Sequence, residues 1–219
     1  MPVSAYLRAA ALLVCAAAVL FVSAGTFAIA VFWVYLAILA IVFVAAFALL
    51  DRGLLQERMR PGGKPTPLGL RLLNLVLLAH WMIAGLDRGR LHWSDNVPPW
   101  LQALALFIIV ASYAFAFWAM LENRFFSSVV RIQSDRGHVV VSSGPYAFIR
   151  HPGYSAGILI LVASGVALGS WLAAAFLIAI TIPFLLYRVR NEDRMLQSQL
   201  DGYADYTRRV RWRLLPGVW

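Results

Sequence analysis

The chain has 219 residues, 62% of them hydrophobic and only 13% charged, with a formal net charge of +9. A soluble domain carries roughly 25% charged residues. That deficit, with apolar runs of about 20 residues, excludes a water-soluble globule and indicates an integral helical membrane protein. The basic residues lie in short loops and the tail, so acidic lipid headgroups, not nucleic acid, are the expected counter-charge.

Six hydrophobic segments are predicted, at about 6–23, 27–50, 68–86, 100–121, 153–169 and 171–189. Each is near the length needed to cross about 30 Å of hydrocarbon, the fifth being the shortest. The first holds Arg8, the lone Cys15 and the small-residue string Val22-Ser23-Ala24-Gly25. Those features also fit a cleaved leader. Cys15 is expected to be a small buried hydrophobe. With one cysteine, neither an internal disulfide nor a cysteine-based metal site is expected. The 51–67 stretch carries Arg60-Pro61-Gly62-Gly63 and Lys64-Pro65-Thr66-Pro67, breakers that predict a loop with turns. In the third segment His80 is expected to be neutral and bonded to a neighbouring helix. Asn74, Ser112 and Thr181 read as polar residues at helix contacts. Only Gly169-Ser170 separates the last two segments, which predicts a tight helical hairpin.

If the segments alternate, 17 of the 19 basic residues fall on one side; Arg88 and Arg90, in the 87–99 loop, are the other two. The bias places both termini and the 122–152 loop in the cytoplasm, in what we expect to be a bacterial inner membrane. In the tail, Tyr203, Tyr206, Trp212 and Trp219 alternate with arginines, suiting a segment at the headgroup level.

The chemistry concentrates in the C-terminal half. Val139-Val140-Val141 is a short extended run between Gly137 and Gly144, and Gly144-Pro145 then makes a turn. Pro152 permits a helix to begin, since its missing N–H is no loss in a first turn. Arg150 and His151 therefore stand just before a helix N-terminus, where free N–H groups and the positive end of the dipole favour an anion. Further on, Arg188 and Glu192 are four apart and share a helix face, and Glu192-Asp193 puts two acids beyond the membrane edge. Such carboxylates suit ribose hydroxyls or an ammonium. An ordinary ion pair on a solvated helix has the same spacing. Four histidines, at 80, 92, 138 and 151, show no metal-ligand spacing. Gly153 and Gly157 either let helices approach or open space for a ligand.

The strings GPYAFIRHPGYSAG, RVRNEDRML and YADYTRRVRWRLLPG resemble those of the membrane-embedded methyltransferases, the isoprenylcysteine carboxyl methyltransferase and phospholipid methyltransferase type. The resemblance is specific over about 130–217 and weaker at Glu57-Arg58-Met59-Arg60-Pro61-Gly62. It implies S-adenosylmethionine as methyl donor, bound on the cytoplasmic side. It also implies a lipophilic small-molecule or lipid acceptor carrying a carboxylate, thiol or amine. Carried onto this chain, donor contacts come from Gln133, His138, Val139, Val140, Val141, Tyr146, His151, Pro152, Gly153, Tyr154 and Glu192, and the substrate-side arginine is Arg188. Where the family often has two glutamates this chain has Glu192-Asp193, and Leu200-Asp201-Gly202 stands where a Phe-Gly pair commonly precedes the Tyr-x-x-Tyr. Two other readings share the pattern: an NADPH-dependent membrane reductase of the sterol-reductase type, and a non-enzymatic membrane protein on the same scaffold.

The expected architecture is therefore all-α: a polytopic membrane protein of about six transmembrane helices and one domain over 1–219. Residues 1–121 form the N-terminal helices. Residues 122–219 form the cofactor-binding loop, helical hairpin and tail. A reporter fused after Trp219 is expected to read as cytoplasmic; a periplasmic signal would reverse the orientation.

Overall fold

A computed structural model describes residues 3–59, 62 and 68–219, with side chains at 5–58, 62 and 71–219. The turns expected at Arg60-Pro61 and Gly63 to Pro67 lie outside the described residues. Among these residues eight α-helices follow in order: α1 (Val3–Ala24), α2 (Ala30–Leu49), α3 (Arg52–Met59), α4 (Leu68–Leu86), α5 (Pro99–Glu122), α6 (Pro152–Ala167), α7 (Trp171–Gln199) and α8 (Tyr203–Arg209). Among the described residues there is no strand.

All six predicted segments are helices; among the described residues, α1, α2, α5 and α7 are both long and apolar enough to cross a membrane. The 16 residues of α6 extend about 24 Å at 1.5 Å per residue, less than the hydrocarbon thickness. Two boundaries differ from expectation. The 51–67 loop opens with a two-turn helix, α3, because Leu54 and Leu55 are buried against Phe117 and Met120. The apolar pattern of α7 ends near residue 187, but the helix runs to Gln199 because its polar extension is packed on the tail.

Helix α5 packs on α6, α6 on α7, α1 on α4 and α4 on α7. The crossing of α1 and α4 depends on Gly85 and Gly89. A Cβ at Gly85 would meet the Ser23 hydroxyl, and one at Gly89 would lie 2.3 Å from the Ala24 carbonyl oxygen. Small residues four apart let two backbones approach where lipid offers no hydrophobic drive to association. Cys15, expected in the core, faces outward on α1, whose neighbour Ala16 is buried instead.

The Gly169-Ser170 hairpin forms as predicted. Gly169 adopts φ +82°, and the Ser170 hydroxyl accepts from the Ala173 N–H at 3.0 Å, capping α7. The same hydroxyl donates to Asp87, which follows α4 and is 1% exposed. Asp87 also accepts from the Ser94 N–H at 2.8 Å and from the Ser94 hydroxyl. Its carboxylate thus ties the 87–98 connection to the hairpin.

His80 heads a second buried chain. Nδ1 lies 3.1 Å from the Ala173 carbonyl, which only accepts, so Nδ1 carries the proton. Nε2 must then accept from Ser164, 2.9 Å away. Ser164 in turn accepts from Tyr35 at 3.0 Å, and Tyr35 accepts from the Trp81 indole at 3.3 Å. The chain joins α2, α4, α6 and α7 with each proton assigned, as expected for a neutral histidine. His80→Leu should lower unfolding stability by about 1–2 kcal/mol. Ser164→Ala should lose part of the same amount, and the double variant less than the sum. Thermal unfolding in detergent reads this; full additivity would show that the chain is not one unit.

Candidate functional site

At the end of the bundle where α6 begins, the 123–151 segment, α3, the extension of α7 and the tail enclose a cavity of about 390 Å³. All twelve residues singled out from the sequence line it: Gln133, His138, Val139, Val140, Val141, Tyr146, His151, Pro152, Gly153, Tyr154, Arg188 and Glu192. They do not all present free groups to it.

Pro145 turns the chain within a short 3₁₀ segment, Gly144–Ala147, and Gly144 takes φ +54°. Pro152 then occupies the first turn of α6, with His151 at its N-cap. Backbone bonds from Arg150 N–H to the Trp212 carbonyl and from His151 N–H to the Arg213 carbonyl, both 2.9 Å, dock the tail on this segment.

Asp193 holds the assembly together. Its carboxylate accepts from Arg150 Nε at 2.9 Å and Nη2 at 3.0 Å, from His151 Nε2 at 3.2 Å and from Tyr203 at 3.1 Å. It also accepts from Arg213 at 2.9 Å and Gln197 at 3.0 Å. Arg150 completes its fan with the carbonyls of Val210 and Arg211. The adjacent acids therefore divide. Asp193 turns inward as the counter-charge of a buried cluster, while Glu192 faces the cavity and accepts from the Tyr154 hydroxyl at 2.6 Å. That hydroxyl accepts from Arg188 Nε at 2.6 Å, and Arg188 Nη2 donates to the Ser128 carbonyl. Arg188 and Glu192 thus meet through Tyr154; the simple i,i+4 pair is not what forms.

Gln133 is fully buried, and its amide is already engaged, donating to the Phe125 carbonyl and accepting from Arg136. Its N–H donates to His138 Nδ1 at 3.2 Å, so the neutral imidazole carries its proton on Nε2. Burial, with Arg131 and Arg136 nearby, holds His138 below the usual histidine range and keeps that form at pH 7. The His138 ring lies 4.5 Å from that of Phe125.

Gly153 and Gly157 serve different ends. A Cβ at Gly153 would sit 2.3 Å from Phe126, whereas Gly157 has nothing within 4 Å and leaves the cavity open. Tyr203 and Tyr206, expected at the headgroup level, are instead buried, at 4% and 1% exposure. Their i,i+3 spacing on α8 puts both on the inner face, with hydroxyls on Asp193 and on the Tyr146 carbonyl. Phe125, Phe126 and Arg58 also line the cavity without having been singled out as site residues, and so does Arg131, the alternative to Gln133 if the register before His138 shifts by two. Arg131 forms a bidentate pair with Glu57 at 2.9–3.0 Å. Burial raises the Glu57 pKa, but the bonds from Arg131, the Gly62 N–H and Ser127 more than offset it and hold the group below the usual carboxylate range.

Residues 103–198 match the family model of the isoprenylcysteine carboxyl methyltransferase (ICMT) family. The solved eukaryotic intramembrane Ras methyltransferase ICMT superposes with a TM-score of 0.66 at 16% identity, covering 94% of this chain and 73% of that one. The protein-S-isoprenylcysteine O-methyltransferase of Schizosaccharomyces pombe is 27% identical over 86 residues, 39% of this chain and 36% of that protein. The ICMT-like match thus covers somewhat less than half of the chain. The cobalt-zinc-cadmium resistance protein CzcN of Cupriavidus metallidurans is also similar, at 28% identity over 132 residues, 59% of this chain and 56% of that protein. The matches thus span about half or less of these two relatives. Within the ICMT-like region fall the 150–154 turn, Arg188 and Glu192; α8 and the tail lie beyond it.

Asp193→Ala should be strongly destabilising, by about 3–5 kcal/mol, because it leaves Arg150 buried without a counter-charge. Unfolding in detergent and proteolysis of the segment after Gln199 report it. Wild-type stability with a protected tail would remove Asp193 from this role.

Proposed function

We propose that the chain transfers a methyl group from S-adenosylmethionine to a lipophilic acceptor at the cytoplasmic edge of the membrane. The observation that carries this reading is the Arg188–Tyr154–Glu192 chain facing a cavity that every residue implied by the family resemblance lines. A volume of about 390 Å³ lies within the roughly 300–1,000 Å³ usual for small-molecule and cofactor sites.

The residues fit the donor's chemistry. Glu192 Oε2 is held by Tyr154, leaving Oε1 for a hydroxyl or an ammonium. Tyr146, Phe125 and Phe126 supply aromatic surface, and Val139 to Val141 an apolar wall. The donor supplies an electrophilic methyl on a sulfonium, whose sulfur departs as a neutral thioether. Arg188 aims rather than titrates, since a guanidinium does not deprotonate in proteins. With Nε and Nη2 fixed, Nη1 is left to hold an acceptor carboxylate. Leu73, Tyr113, Ala116, Ile160 and Phe184 form an apolar flank beside the open face of Gly157, suited to the acceptor's hydrocarbon. Alignment of this order contributes roughly 7–11 kcal/mol to such reactions. The reductase reading is not favoured, since the family model and the yeast relative both carry methyltransferase names.

Glu192→Ala is expected to lose affinity for S-adenosylhomocysteine. Arg188→Ala is expected to keep that affinity and to lose turnover by at least about 30-fold, the equivalent of about 2 kcal/mol. Calorimetric binding in nanodiscs and a methyl-transfer assay separate the two. Normal binding and turnover in both variants would show that the site is wrongly assigned.

A further inference from the structure

Four arginines reach the cavity wall: Arg58, Arg131, Arg150 and Arg188. Three are engaged within the protein. Arg131 is bound to Glu57 and Asp135, Arg150 to Asp193, and Arg188 to Tyr154 and the Ser128 carbonyl. Arg58 differs. Its guanidinium stands 5.0 Å from the centre of the Phe126 ring. Among the described residues it donates no hydrogen bond and meets no carboxylate. Burial draws it below the ordinary arginine range.

The base of this side chain is nevertheless well fixed. The Arg58 carbonyl accepts from the Ser128 hydroxyl at 3.0 Å. The preceding Glu57 is bound to Arg131, to the Ser127 hydroxyl at 2.8 Å and to the Gly62 N–H at 3.1 Å. Leu54 and Leu55 seat α3 in the apolar core. A half-buried guanidinium held at its root, laid over an aromatic face and lacking a counter-charge leaves its donors free for an anion. Its planar fork matches a carboxylate with two parallel hydrogen bonds.

The surroundings indicate which anion. The Phe126 ring under Arg58 packs on Gly153, and Tyr146 lines the same cavity as Arg58. Gly153 and Tyr146 belong to the donor's proposed contacts, whereas Arg188 serves the acceptor. We propose that Arg58 binds the amino-acid carboxylate of the methyl donor. The proposal rests on the donor reading above and adds to it a contact from the N-terminal half of the chain, outside the 103–198 family match.

The test is calorimetric titration of nanodisc-embedded full-length protein with S-adenosylhomocysteine and with its decarboxylated analogue. Loss of the carboxylate should weaken wild-type binding about 10- to 100-fold. Arg58→Gln should weaken S-adenosylhomocysteine by the same factor and leave the analogue within about two-fold of wild type. Arg58→Lys, which keeps the charge but loses the fork, should fall between. Wild-type affinity of Arg58→Gln for S-adenosylhomocysteine overturns the proposal, and a rise in acceptor KM alone would move the anion to the acceptor. Equal loss of both ligands overturns it too, since the carboxylate would not be what Arg58 reads. Should Arg58→Gln fail to fold, Arg58→Lys carries the same comparison. Failure of wild-type protein to bind either ligand would instead overturn the donor reading itself.

Discussion

A carboxylate buried to 1% exposure is tolerated only with close compensation, and the polar end of this molecule is arranged around that requirement at Asp193. The donors it gathers come from three separate stretches: the turn before α6, the extension of α7 and the tail. The cluster does for the polar end what side-chain packing does between the helices. Because Arg150 and His151 are drawn inward, the next residues of the turn are left to the cavity. Consecutive positions on a helix point about 100° apart, so with Asp193 fixed inward, Glu192 must face Tyr154.

The same rule operates elsewhere. Asp87 ties the far connection to the hairpin through Ser94 and Ser170, and His80 links four helices through Ser164, Tyr35 and Trp81. In lipid, apolar packing alone leaves helix rotation weakly specified, since tails are as apolar as leucine. Directional bonds select one rotation. Those that join α6 and α7 to their neighbours leave Gly157 and Arg188 lining one cavity.

The six apolar helices and their order were legible because such segments announce themselves by length and apolar content. The turn before α6 was legible from Pro152, and the hairpin from Gly169-Ser170. The roles of Glu192 and Asp193 were not separable, since spacing gives a face but not the partners that wait on it. The tail tyrosines misled for a related reason. Alternation with arginine suits a headgroup layer, and only the positions of Asp193 and the Tyr146 carbonyl show that their hydroxyls are needed inside. Helix α3 was hidden by the breakers that follow it, although Leu54-Leu55 was its apolar signal. Gln133 shows the limit of carrying residues over from a resemblance: it lines the cavity, yet its side-chain amide orders the loop.

The family match covers 103–198, but the cavity wall does not stop there. Arg58 and Leu73 enter from before it, and Leu200, Tyr203 and Tyr206 from after it. The matched region supplies the turn, the Arg188–Tyr154–Glu192 chain and all of the apolar flank but Leu73. The outer segments supply a cation over Phe126 and the aromatic backing of α8. These contributions reach the site by different routes: α3 through Glu57 and Arg131, and α8 through Asp193. A substitution in α3 can therefore change what the cavity binds without disturbing the Asp193 cluster, whereas one in α8 acts on both. On the proposed reading, ligand selection is free to vary at the N-terminal edge of the site, while the C-terminal edge is constrained by having to hold the fold together.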